Sequence, residues 1–95
     1  MNEITATLKV INDVKSGVSA TSGNEWKRQD IVLGWDEEAE NGNVRHQLLM
    51  VTLHGESVTR FGTMNLKVGD EVSGRVDFST RAYGGRVYND IAMYV

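Results

Sequence analysis

Tyr83, Tyr88 and Tyr94 each fall opposite an arginine if the chain folds back at Gly84-Gly85. Paired glycines supply the positive φ angles of a two-residue type I′ turn. That turn sets Tyr83 against Arg86, Arg81 against Tyr88 and Arg75 against Tyr94. It also sets Phe78 against Ile91 and Val76 against Met93, apolar pairs that mark an inward face. The tyrosines and arginines then share the outward face, with Ser79 opposite Asp90 and Asp77 opposite Ala92. Exposed tyrosine rings stack on nucleobases, and guanidinium groups meet phosphates. The same residues also read as Arg–aromatic pairs that steady a hairpin by about 0.2–1 kcal/mol each. Near the tip, Arg81, Tyr83, Arg86 and Tyr88 are taken as ligand contacts. Near the base, Arg75 and Tyr94 are taken as structural.

Trp26-Lys27-Arg28 is a second candidate. It opens a strand after a small, polar stretch. Trp26 falls on the polar side of that strand with Arg28, where an indole could stack on a base. The alternative is that a bulge shifts the parity and Trp26 caps the core. Arg45 and His46 extend the basic patch from the next strand. The patterns of catalysis and metal binding are missing. Gly84-Gly85 lacks the strand-to-helix setting of a phosphate loop. His46 and His54, with no cysteine, do not make a zinc set. Asp36, Glu37, Glu38 and Glu40 lack the spacing of a calcium loop. The expectation is therefore a non-enzymatic protein with no cofactor and no metal.

These candidates need strands to position them. Ile4, Ala6, Leu8 and Val10 alternate with polar residues, the period of a half-buried strand. Ser16 to Asn24 is small and polar and reads as an exposed loop. A second strand spans Glu25 to Trp35, with Ile31, Leu33 and Trp35 on one face and Trp26, Arg28 and Asp30 on the other. Asp36 to Asn43 reads as an acidic turn. A third strand spans Val44 to His54, and its run from Leu48 to Leu53 suggests burial on both faces or a covered edge. Glu56 to Met64 is the one plausible helix, with Val58 and Phe61 three apart and Gly62 as its stop. Strands four and five span Glu71 to Arg81 and Arg86 to Val95. This order predicts a mostly β fold, a five-stranded OB-fold barrel with one short helix between strands 3 and 4. An SH3-like barrel is the competitor, and it usually lacks that helix.

Ninety-five residues make one domain, residues 1–95, with room for a modest core. The absence of cysteine fits a reducing compartment, and no apolar run approaches a membrane span. The stretch from Met1 to Ile4 does not read as a signal peptide. A cytoplasmic protein with no membrane partner is expected. Net charge is −3, which argues against a generic polyanion binder. Without the four clustered acids the rest counts ten basic residues against nine acidic, so a local basic patch is possible.

Three segments resemble a family of short bacterial proteins of uncharacterised function. They are Ser22-Gly23-Asn24-Glu25-Trp26-Lys27-Arg28-Gln29, Asn65-Leu66-Lys67-Val68-Gly69-Asp70-Glu71-Val72 and Tyr83-Gly84-Gly85-Arg86-Val87-Tyr88-Asn89-Asp90-Ile91. That family is regarded as OB-fold and similar to single-stranded-DNA-binding proteins. The resemblance implies the fold, DNA in preference to RNA, and a homo-oligomer, dimer or tetramer. The long acidic-tipped tail of typical single-stranded-DNA-binding proteins has no counterpart before Val95, which implies an accessory role. The leading expectation is thus a single-stranded nucleic-acid-binding module using Trp26, Lys27, Arg28, Arg45, Arg81, Tyr83, Arg86 and Tyr88. The alternative is a protein-interaction or assembly module with no nucleic-acid ligand.

Overall fold

A computed structural model describes residues 2–95, so Met1 of the N-terminal stretch lies outside the described residues. The elements are β1 (Asn2–Ile11), β2 (Lys15–Val18), β3 (Glu25–Glu38), β4 (Val44–His54), α1 (Glu56–Thr63), β5 (Glu71–Tyr83) and β6 (Arg86–Tyr94). Neighbouring strands run in the order β1-β5-β6-β4-β3-β2, and β1 also pairs with β3. That extra pairing closes five strands into a barrel and leaves β2 as a flap on β3. Closure removes most of the open sheet edge. All pairings are antiparallel except β4 with β6, which meet in parallel at Thr52 and Ala92.

Alternation explains the core. Ala6, Leu8, Ile31, Leu33, Val51, Leu53, Val72, Val76 and Met93 point inward and are buried. Val58 and Phe61, three apart on α1, are buried with them, so the helix packs onto the barrel as its spacing predicts. Side chains tie the helix in place. Lys27 Nζ donates to Thr59 Oγ1, and the Gly55 amide donates to the Lys27 carbonyl at 3.0 Å.

Several boundaries differ from the sequence reading, each for a physical reason. Lys15–Val18 is a strand that runs into the Ser16–Asn24 stretch expected as a loop, because it bonds through its backbone along Glu25–Arg28 and needs no apolar period. The helix therefore lies between the fourth and fifth strands rather than between the third and fourth. A bulge between Leu8 and Val10 reverses the parity of β1, so Val10 faces out and Ile11 packs on the core. Gly62 does not end α1. The chain leaves the helix after Met64, with Asn65 in the left-handed region at φ 51°. The run Leu48 to Leu53 is not covered on both sides, since Leu48 and Met50 are 67% and 59% exposed. Phe78 pairs with Ile91 as expected but is exposed, because the hairpin has by then left the barrel.

That departure shapes the molecule. From Asp77 to Asp90 every residue is exposed. The β3–β4 hairpin beyond Trp35 is almost as bare. The radius of gyration is 15.5 Å, against about 12 Å for a compact chain of this length. Two arms thus project from a small barrel, one acidic at its tip and one carrying the Tyr–Arg pairs.

Candidate nucleic-acid interface

The β5–β6 arm has the register that its glycine pair dictates. Gly84 and Gly85 hold φ of 58° and 78°, the left-handed region that glycine enters without strain. Tyr83 then faces Arg86, Arg81 faces Tyr88 and Arg75 faces Tyr94. A lone two-stranded ribbon is marginal in water, so side chains must help to hold it. Arg81 Nε donates to Asp90 Oδ2 at 2.9 Å, and its guanidinium lies 5.3 Å from the Tyr88 ring centre. Thr80 Oγ1 donates to Asn89 Oδ1 at 3.1 Å on the other face. Arg81 and Tyr88 are thus partly committed to the arm itself. Tyr83 and Arg86 are freer. Tyr83 is 80% exposed, and among the described residues Arg86 makes no ion pair.

Parity places this face on the barrel. Val51, Leu53 and Met93 point inward, so Thr52 on β4 and Ala92 on β6, which face each other, point outward. Tyr88, Asp90 and Ala92 therefore continue the outer surface that carries Leu48, Met50 and Thr52.

Trp26 stands on the outer side of β3, as the alternation predicted, and is 47% exposed. It does not cap the core. Instead its indole lies against Gly17 of β2, its cross-strand partner. A Cβ at position 17 would come within 2.8 Å of Trp26 Cζ2, so any side chain there would displace the ring. Arg28 shares the Trp26 face, flanked by its partners Lys15 on β2 and His54 on β4. Neither Lys15 nor His54 was read as a ligand contact from the sequence. No local pattern marks Lys15, because its strand is made by pairing alone. Asp30 also lies on this face and accepts from Thr52 Oγ1 at 2.7 Å.

The remaining candidates are placed elsewhere. Lys27 points to the opposite side of β3 from Trp26 and Arg28, toward α1 and Thr59. Arg45 faces Glu37 across the acidic arm and lines a recess with Glu37, Glu38 and Glu40. His46 Nδ1 is 2.6 Å from Asp36 Oδ1. The structure thus gathers Arg81, Tyr83, Arg86 and Tyr88 on one arm and Trp26 and Arg28 on the β2–β3 side. Along the sheet, β4 lies between these two groups. Its outer residues run Leu48, Met50, Thr52 and His54, and Met50, Val32 and Val10 form an apolar row across β4, β3 and β1.

The fold has solved counterparts. An SSB from Plasmodium falciparum in complex with ssDNA superposes with a TM-score of 0.58 at 5% identity, over 99% of this chain and 83% of that one. A small single-stranded DNA-binding protein from Streptomyces coelicolor superposes with a TM-score of 0.50 at 16% identity, over 97% and 86%. The fold is the SSB-like OB fold. No family model matches the chain, and no curated protein matches it. At these identities the likeness establishes the architecture. The chemistry has to be argued from the side chains. No helix among the described residues is long and apolar enough to cross a membrane.

Proposed function

We propose that this chain is a non-catalytic binding module for single-stranded nucleic acid, with DNA as its ligand. The observation that carries the reading is the exposed Tyr83–Arg86 and Arg81–Tyr88 ladder on an arm that no other described residue covers. Nothing in the packing of the barrel requires Tyr83 to be aromatic, whereas a stacking role does. Tyr83, Tyr88 and Trp26 supply the rings. Arg81, Arg86 and Arg28 supply phosphate contacts, with Lys15 beside Arg28. Lys27, turned toward α1, and Arg45, set among carboxylates, contribute less. The similarity in fold to an SSB in complex with ssDNA supports the same reading.

The test is a titration of a labelled oligo-dT of about 20 nucleotides, and of the matching duplex, by fluorescence anisotropy at low and physiological salt. Saturable binding to the single strand that weakens with salt and is reduced in Trp26→Ala is expected. No binding at micromolar protein and low salt would overturn the proposal. In that event the assembly reading takes its place. Its own support is the outer row of Val10, Val32, Met50 and Leu48, which suits a second copy of this chain in a dimer or tetramer.

A further inference from the structure

A row of basic and aromatic side chains crosses the outer surface at the base of the barrel. Lys15 on β2 faces Arg28 on β3, and Arg28 faces His54 on β4. The next strand is β6, which runs parallel to β4 through Thr52 and Ala92. Two residues further along both strands, the row passes from His54 to Tyr94. Tyr94 in turn faces Arg75 on β5. Their sequence neighbours Gln29, Leu53, Met93 and Val76 are buried in the barrel, so alternation turns the row outward. All five of its residues are exposed. Among the described residues Lys15, Arg28 and Arg75 make no ion pair. Nor does Arg75 lie over the Tyr94 ring as Arg81 lies over Tyr88. Acids stand beside the row and not in it. Glu3 on β1 lies beyond Arg75, and Asp13 and Asp30 share a recess with Lys15 and Arg28.

We infer that this row is a second contact segment for the bound strand, in which His54, Tyr94 and Arg75 continue the Trp26–Arg28 group around the barrel. Four inter-strand steps of about 4.8 Å make it roughly 19 Å long, enough for a few nucleotides of the site that one OB fold offers. Lys15, Arg28 and Arg75 meet phosphates. His54 adds a ring N–H donor, and Tyr94 a face for a base. Arg60 of α1 lines one recess with Arg75 and Tyr94, which places a further guanidinium at that end. The row and the arm differ in what they contribute. On the arm Asp77 and Asp90 offset Arg81 and Arg86, so the arm supplies chiefly stacking. The row supplies chiefly charge. The inference rests on the nucleic-acid reading above and adds the route that the strand takes.

The experiment measures the affinity of the full chain for labelled oligo-dT over a salt series, in the wild type, Arg75→Gln, Arg75→Lys and Lys67→Gln. Lys67 is an exposed cation in the turn before β5, outside the row. Arg75→Gln should weaken binding several-fold at low salt. It should also flatten the slope of log affinity against log salt by about 0.7, the share of one phosphate contact on a single strand. Arg75→Lys should restore the slope, because it restores the charge, whereas a side chain that only steadied the hairpin would leave the slope alone. Lys67→Gln should behave as the wild type. A wild-type slope in Arg75→Gln overturns this inference and leaves the binding reading standing. So does an Arg75→Lys variant that fails to recover the slope, or a Lys67→Gln variant that flattens it equally. A wild type that does not bind oligo-dT at low salt removes the nucleic-acid reading, and this inference falls with it.

Discussion

At the scale of single residues, the two tip tyrosines do different work. Tyr88 carries the Arg81 guanidinium over its ring, and Arg81 also holds Asp90, so removing Tyr88 disturbs the arm as well as a stacking surface. Tyr83 has only its cross-strand neighbour Arg86. Tyr83→Ala should therefore weaken binding of single-stranded DNA by about 1–2 kcal/mol while thermal unfolding stays within a degree or two of wild type. Tyr88→Ala should weaken binding comparably and also lower stability, by about 0.2–1 kcal/mol. Anisotropy and calorimetry on the same two variants check this, and equal effects of both on unfolding would contradict the division. The pairing itself was legible in the sequence, because Gly84-Gly85 admits one tight register and the apolar pairs agree with it. The seat of Trp26 was legible only in part. Alternation put the ring outside, but its support is Gly17, and a glycine that matters for the side chain it lacks leaves no pattern in the sequence. Lys27 was grouped with Trp26 and Arg28 by adjacency alone. Being next in sequence to Trp26 and Arg28 puts it on the opposite face of the strand.

At the scale of elements, the barrel strands were readable and the pieces held by backbone pairing were not. Ala6, Leu8, Ile31, Leu33, Val72 and Val76 follow a period of two because one face of each strand meets the core. Lys15–Val18 has no such face, and its partner residues lie across a turn from it. The bulge near Lys9 is equally silent, and it alone decides that Val10 faces water. The β5–β6 arm combines both cases. Its base belongs to the barrel, and its tip depends on turn chemistry and cross-strand pairs. That separation can be tested at Gly85, where φ is 78°. A β-branched residue is strained there by about 1–2 kcal/mol. Because every described residue from Asp77 to Asp90 is exposed, Gly85→Val should fray the arm without unfolding the barrel. Amide exchange should speed up from about Ser79 to Asp90, and affinity for single-stranded DNA should fall several-fold. Melting temperature should change little. Unchanged exchange in the arm, or global unfolding, would show that the arm and barrel are not independent in this way.

At the scale of the whole molecule, surface chemistry is partitioned by strand. The acidic arm carries Asp36, Glu37, Glu38 and Glu40, whereas the other arm sets Arg81 and Arg86 against Asp77 and Asp90 and is neutral, so the net charge of −3 is unevenly spread. Interactions between exposed charges fade over about 10 Å at moderate salt, so a strand bound on the Tyr–Arg arm is repelled chiefly by acids close to it. Between the arms the outer surface of the barrel carries an apolar row. Val10 faces Val32 and Val32 faces Met50 across three strands, with Leu48 next along β4. The core does not use these side chains, which explains why an apolar run on β4 misleads when read as a doubly buried strand. Contiguous exposed apolar surface on a small chain marks a contact with another molecule. A second copy would bring a second Tyr–Arg arm, and two linked sites hold a long strand more tightly than either site alone. Leu48→Lys with Met50→Lys should therefore leave the barrel folded, since neither residue lies in the core. It should shift the protein to monomer in sedimentation, and weaken binding to an oligonucleotide long enough to span two arms. Binding to a strand of about four nucleotides, within the reach of one OB fold, should be unchanged. A wild-type chain that sediments as a monomer at every concentration would sink this assembly. So would a double variant that keeps its partner, because the contact would then have to lie on another face.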